Sequence, residues 1–320
     1  MQDLTGSFFG LELPEYRNFP HPESLHCAWL NSGRAAFECL LRSMPRPENL
    51  WIPRFICDTV LQAPERLGIP IKRYSCTAQL EPILPEAGER DIVLLVNYFG
   101  LTDSAISTTA AALKDRCIVD ATTALYSPPP HGVPTFYSPR KFCGVADGGV
   151  ALAPELPLWI PPAKDNSSRK SLVLLERIEN GAEAAMTASE TAEAALDGAP
   201  LRMSNLTRRL LTSIDFETAA KQRLANYNTL HQALKNINRL NLPETPLNAP
   251  MCYPLVSGIP GLRDTLIDAG IALPLYWPEV IEQTDAGDVE NRLARQLLPL
   301  PLDQRYSKST MERIIDLILA

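Results

Sequence analysis

Between residues 50 and 155, short apolar runs alternate with stretches of helical periodicity. After its leading acid, Asp91-Ile-Val-Leu-Leu-Val96 is continuously apolar rather than alternating, as a strand covered on both faces of a parallel sheet must be. Cys117-Ile-Val-Asp120 repeats the pattern and ends in a carboxylate. Between them, DSAISTTAAALK (103–114) predicts a helix capped by Asp103 or Ser104, with Lys114 in its last turn. Leu50–Pro53, Thr135–Tyr137 and Gly149–Ala153 read as further strands, and Ile56–Leu67 as a helix ending before Gly68. Upstream, NSGRAAFECLLRSM (31–44) predicts a helix capped by Asn31 or Ser32, with Phe37, Leu40, Leu41 and Met44 on one face. Strand, helix, strand in this rhythm predicts an α/β sheet with right-handed crossovers.

The pattern changes downstream. Residues 166–200 are rich in Ala, Glu and Ser and read as an exposed helix or a mobile segment. A long amphipathic helical stretch follows over 205–239. The Pro-rich turn 243–250 then leads into a strand at Met251–Val256, a helix at Leu262–Ala269 and a terminal helix at Ser309–Leu319. The expected division is a larger α/β unit over 1–215, with an N-terminal arm, and a smaller α+β unit over 216–320.

Composition narrows the classes. With 320 residues, 45% of them hydrophobic, the chain can bury a large core in one or two domains. A net charge of −7 without a basic stripe argues against nucleic acid and anionic membranes as partners. No apolar run is long enough to span a bilayer, and the start, MQDLTGSFFGLELPEY, has no basic region followed by a long apolar one. Seven scattered cysteines, with no C-x-x-C pair, argue for a reducing compartment and against a disulfide framework or zinc site. The four histidines have no metal-ligand spacing. A cytoplasmic soluble protein without a metal is the expectation.

In an open α/β sheet, ligands sit at the carboxyl ends of strands and at helix N-termini. Ser32-Gly33-Arg34 opens a helix, where free N–H groups and the dipole favour a phosphate. Asp120 ends an otherwise apolar strand, and Lys141 lies in FYSPRKFCGVADGGVALA (136–153), a loop between two strands. Taken singly, each has a plainer role: a helix cap, a turn cap, a solvated lysine. Together, a phosphate cradle, a buried acid and a loop lysine are what pyridoxal phosphate chemistry requires. The lysine amine bonds the coenzyme's aldehyde, and the acid keeps the pyridine nitrogen protonated so that the ring draws electrons from the substrate.

On these residues the chain resembles the DegT/DnrJ/StrS-type sugar aminotransferases, pyridoxal-phosphate proteins of fold type I. NSGRAAFECLL is similar to that family's phosphate helix, IPRFICDTVLQAPERLGIPIKRY to the next strand–helix unit and VNYFG to a strand end. IVDATTALYS resembles the aspartate motif, FYSPRKFCGVADGGVAL the lysine loop and LPLPLDQRYSKSTMERIIDLI the C-terminal strand and helix. The resemblance implies a large domain with a mainly parallel seven-stranded sheet and a smaller C-terminal α+β domain. It implies pyridoxal 5'-phosphate, with Lys141 and Asp120 catalytic, and Ser32, Gly33, Arg34 and Ser138 around the phosphate. Cys57 aligns with the family's ring-stacking aromatic, for which Phe55 or Tyr98 could substitute, and Thr123 with its glutamine; Pro200 stands where many members place asparagine. The implied reaction moves an amino group from an amino acid, by family norm glutamate, to a keto-sugar or related carbonyl precursor. The alternatives are another pyridoxal-phosphate reaction, or a degenerate member that binds cofactor weakly and acts as a regulatory or structural partner. Retention of Lys141 argues against the family's dehydratases, which carry histidine there. A homodimer is implied, its contact at LRMSNLTRRLL with Leu201, Met203, Leu206, Leu210 and Leu211 facing the partner. Tyr253 and Tyr276-Trp277 are candidates for either the cleft or the core.

Overall fold

In the computed structural model, residues 10–16, 18–21, 26–154, 156–185, 196 and 198–320 are described. Seven strands form one sheet: β1 (Cys27–Leu30), β2 (Leu50–Pro53), β3 (Ile71–Tyr74), β4 (Ile92–Val96), β5 (Cys117–Asp120), β6 (Thr135–Tyr137) and β7 (Gly149–Leu152). Their order is β1-β7-β6-β5-β4-β2-β3. β6 through β3 run parallel, and β7 is antiparallel to both of its neighbours. The wholly apolar runs occupy the middle: every residue of β4 and β5 is buried. Helices α1 (Gly33–Ser43), α2 (Gln62–Arg66) and α3 (Asp103–Leu113) connect strands. Leu94, Val96 and Ile118 pack in one apolar layer, and Val93, Leu95 and Val119 in the other, so alternate side chains of one strand feed both faces.

The remainder comprises α4 (Leu172–Ala184), α5 (Asn205–Thr212), α6 (Phe216–Leu234), α7 (Leu262–Asp268), α8 (Pro278–Gln283), α9 (Val289–Gln296) and α10 (Lys308–Leu319). A two-stranded antiparallel ribbon, β8 (Tyr253–Leu255) with β9 (Leu298–Leu300), completes it. A third apolar cluster, with Tyr227, Leu230, Leu255, Leu300 and Ile314, holds this C-terminal part together. Residues 277–297 instead join the core on the large sheet, through Trp277, Val280, Leu293 and Leu297. Glu290 fastens the same stretch by accepting the Cys76 N–H at 2.9 Å.

Several expected elements are shorter or broken, each for a local reason. The helix expected over 56–67 is a 3-10 turn at Asp58–Leu61 followed by α2, because Cys57 is extended and the Asp58 N–H goes to Glu279. The amphipathic stretch 205–239 is two helices; Asp215 accepts the Thr218 N–H and starts the second afresh. α3 is capped by Thr102 and closed by Lys114 at φ 58°. β3 is legible only as part of a matching segment, and β1, α8 and α9 carry no recognised pattern. Of the alanine-rich region, Leu172–Ala184 is a helix with no buried residue, while 186–195 and 197 lie outside the described residues. The apolar face assigned to a subunit contact turns inward in part: Met203 and Leu211 pack in the core of the large sheet.

Candidate cofactor site

The carboxyl ends of β1, β2, β4 (through Val96), β5 and β6 enclose a cavity of about 230 Å³. β1 delivers Ser32, Gly33 and Arg34 at the start of α1; β2 delivers Ile56, Cys57, Thr59 and Val60. β5 ends in Asp120 and leads to Thr122, and β6 leads to Ser138, Arg140 and Lys141. Trp277 closes the lining from the C-terminal part, and Phe37 with Phe136, stacked 5.0 Å apart, borders it from the core. Ser32 caps α1 by accepting the Ala35 N–H at 3.1 Å, and the first turn carries no acid to compete for an anion. This approach depends on Gly149: a Cβ there would sit 1.9 Å from the Ser32 carbonyl oxygen. At Gly33 a Cβ would meet Thr122 at 3.1 Å, so the helix start, the Asp120 turn and the lysine loop are in contact.

The electrostatics are lopsided. Burial raises the pKa of Asp120, while the Lys141 charge and the Thr122 hydrogen bonds pull it back down. Its Oδ1 accepts the Thr122 N–H at 2.8 Å. A carboxylate this deep is costly unless a cation faces it. Lys141 Nζ donates to Thr122 Oγ1 at 3.1 Å, which places the amine over the turn that Asp120 begins. Arg34, Arg140 and Lys141 line the cavity against one acid, Asp120. The donor set therefore suits a ligand that is anionic at the end near α1 and cationic near Asp120. Burial also raises the Cys57 pKa, offset in part by Thr59, so the thiol enters the cavity as a neutral group.

No protein-family model and no curated protein matches the sequence. Among solved structures the chain is similar to DesV from S. venezuelae, at 16% identity and a TM-score of 0.64 over 91% of this chain and 83% of that one. It is also similar to the aminotransferase TlmJ from Streptoalloteichus hindustanus, at 15% identity and 0.64 over 92% and 85%. A DegT DnrJ EryC1 StrS aminotransferase from Brucella abortus gives 16% identity and 0.59 over 92% and 85%. The fold is that of these aminotransferases. The likeness spans the large sheet and the C-terminal part alike, as the mixed α/β architecture with its seven-stranded, mostly parallel sheet leads one to expect.

Of the residues singled out in the sequence, Ser32, Gly33, Arg34, Cys57, Asp120, Ser138 and Lys141 line the one cavity. Thr123 does not. Its hydroxyl accepts the Phe99 N–H at 3.1 Å and donates to the Asn97 carbonyl at 3.0 Å, so it belongs to the backbone of the neighbouring strand end. The residue that reaches the cavity is Thr122, because the turn after β5 points alternate residues to opposite sides. Phe55 and Tyr98 are buried beneath the lining and cannot replace a stacking ring; the Tyr98 hydroxyl donates to the Phe55 carbonyl at 2.6 Å. Of the undecided aromatics, Tyr253 is in the C-terminal core and Tyr276 stacks on Phe99, whereas Trp277 lines the cavity. Arg140 was within reach of sequence reasoning as the neighbour of Lys141. Two residues that hold the lysine loop in place carried no signal. Asp147 accepts from Ser204 N at 2.8 Å, from Ser204 Oγ at 2.7 Å and from Thr207 Oγ1. Arg223 donates to the Phe142 carbonyl at 3.3 Å.

Proposed function

We propose that the protein is a pyridoxal-phosphate-dependent aminotransferase that passes an amino group from an amino acid, glutamate by resemblance, to a keto-sugar or related carbonyl compound. The observation that carries this is the meeting of Lys141, buried Asp120 and the opening turn of α1 at a single cavity. The residues fit the coenzyme. The first-turn N–H groups of Gly33 and Arg34, with the Ser32 and Ser138 hydroxyls, would take its phosphate. Asp120 would hold a proton on the ring nitrogen, and that positive charge answers the cost of burying the carboxylate. When bound, the coenzyme supplies an electron-withdrawing ring that stabilises negative charge at the substrate carbon. Lys141 Nζ would hold the coenzyme and would be the base placed to move a proton at the substrate carbon; Thr122 Oγ1, which accepts from that nitrogen at 3.1 Å, would orient it. The similar protein Spr1654 from Streptococcus pneumoniae was solved in a PLP form, and CalS13 from Micromonospora echinospora is described as a sugar aminotransferase, which supports both coenzyme and substrate class.

The same reading includes a homodimer. In α4, Leu172, Leu175 and Ile178 are 54%, 56% and 77% exposed, an apolar face beside the lysine loop that a second copy would cover. It also includes a cytoplasmic location, supported by seven cysteines of which none forms a disulfide; among the described residues no helix is long and apolar enough to cross a membrane. A non-catalytic coenzyme binder is the second reading, favoured by the thiol of Cys57 in the cavity wall. Borohydride treatment of the protein with pyridoxal phosphate, followed by peptide mapping, tests the first reading. The expected adduct is on Lys141 and is absent in Lys141→Ala; an adduct elsewhere overturns it. Addition of glutamate should convert the bound coenzyme to its amine form, and failure with every amino acid favours the second.

A further inference from the structure

Trp277 stands in an unusual position for so large a side chain. Its backbone is left-handed, at φ 57° and ψ 61°, a region that residues with a Cβ avoid. Such a conformation persists only where the surroundings impose it, and here they do. Pro278 begins α8 directly after it. Glu279 accepts the Asp58 N–H at 2.8 Å and Gln283 donates to Asp58 Oδ2 at 2.6 Å, pinning α8 to the turn that follows Cys57. Val280 is buried in the core of the large sheet. The indole meets Phe55 edge-on at 4.6 Å and lies 5.9 Å from Tyr98, with 9% of the residue still exposed.

That remaining surface borders the cavity lined by Asp120 and Lys141. The cavity's other aromatics, Phe37 and Phe136, are spent on each other. The wall formed by β2's carboxyl end offers a thiol, a hydroxyl and two aliphatic side chains. We infer that Trp277 is the aromatic wall for the coenzyme ring, supplied from the C-terminal part of the chain. The inference rests on the functional reading above. A protonated pyridine facing Asp120 is an electron-poor, positively charged ring, and indole is the side chain that attracts such a ring most strongly. Trp277 is thus a binding residue for the coenzyme, and its left-handed backbone is what aims the indole at the cavity.

Tryptophan emission gives a readout independent of turnover. The other tryptophans, 29, 51 and 159, do not line the cavity. Pyridoxal phosphate should quench the wild-type emission, and Trp277→Phe should remove at least half of the fractional quenching while raising the dissociation constant about threefold or less. Trp277→Ala should raise it about tenfold, which corresponds to about 1.4 kcal/mol. Both variants should keep the borohydride adduct on Lys141. Wild-type quenching in Trp277→Phe together with an adduct on Lys141 overturns the assignment of Trp277 alone. Unchanged affinity in Trp277→Ala does the same. Absence of any adduct on Lys141 in the wild type overturns the functional reading instead.

Discussion

Two buried charges hold the lysine loop, and they do it by opposite means. Asp147 is wholly buried six residues after Lys141, and its carboxylate is satisfied by the N-terminal turn of α5 and its cap. Ser167 extends that cluster through a 2.6 Å contact with Ser204. Arg223, 2% exposed, donates to the carbonyls of Phe142, Pro250 and Met251 and to Gln304 Oε1. Gln304 returns a donor to the same Phe142 carbonyl at 2.9 Å. Among the described residues neither charge has an opposite charge in direct contact; each is solvated by oriented dipoles, the anion by a helix start and hydroxyls, the cation by carbonyls. Burial lowers the pKa of Arg223, yet Tyr126 and Asp303 nearby oppose the shift, so the guanidinium stays charged. The lesson is that a loop carrying an exposed lysine can be held from both sides by oriented dipoles.

The comparison can be broken where the loop ends and β7 meets the start of α1. Gly149→Ala drives a methyl into the Ser32 carbonyl and should cost about 4 kcal/mol or prevent folding, on the scale of the largest single-residue effects. Urea denaturation measures it; a loss under about 1 kcal/mol would mean that β7 and α1 move apart freely. Next is Asp147→Ala, which strands three donors in the interior and should cost about 3 kcal/mol. Its visible-band intensity at saturating coenzyme should still match the wild type once the protein is folded. Arg223→Met removes the cation but leaves the Phe142 carbonyl with its Gln304 donor, so about 2 kcal/mol is expected. Equal losses for the two variants would show that the dipoles, and not the second donor, decide the cost.

The smallest effect near neutrality is a titration. His21 stacks on Tyr137, just upstream of the loop, at 4.0 Å between ring centres. Its Nε2–H donates to the Leu125 carbonyl at 2.7 Å, and burial lowers its pKa from 6.5 to about 4. The folded state thus binds the extra proton later than the unfolded one. Stability is unaffected above pH 6.5, falls as pH drops from there, and levels off below pH 4. The loss is about 1 kcal/mol at pH 6 and about 3 kcal/mol at the plateau, from roughly 1.4 kcal/mol per pKa unit. Melting temperatures of wild type and His21→Gln across this range should diverge by that slope; parallel curves would locate the acid sensitivity elsewhere.

The site was legible where chemistry and local pattern coincide. Asp120 ends one short, wholly buried strand, Lys141 follows another within a single turn, and Ser32 starts a helix by its own side chain. Thr123, aligned with the family's glutamine, is turned away from the cavity because its hydroxyl is taken by the Asn97–Phe99 backbone, and alignment does not carry that contact. Trp277 could be named only as an aromatic of undecided place, since what aims it is Glu279 meeting Asp58 across 221 positions. Asp147 and Arg223 look in sequence like ordinary surface charges. Their partners are 57 and 81 residues away, and no local periodicity carries that information.

The bond from Gln304 to the Phe142 carbonyl spans 162 positions. A ribosome adds on the order of 5–20 residues per second, so roughly 8–30 s separate the synthesis of the lysine loop from the arrival of the side chain that completes its support. Through that interval the large sheet can form, since its strands end at Leu152, while the Phe142 carbonyl still lacks its Gln304 donor. A nascent chain that ends before Trp277 can therefore carry every strand of the large sheet without the last wall of the cavity.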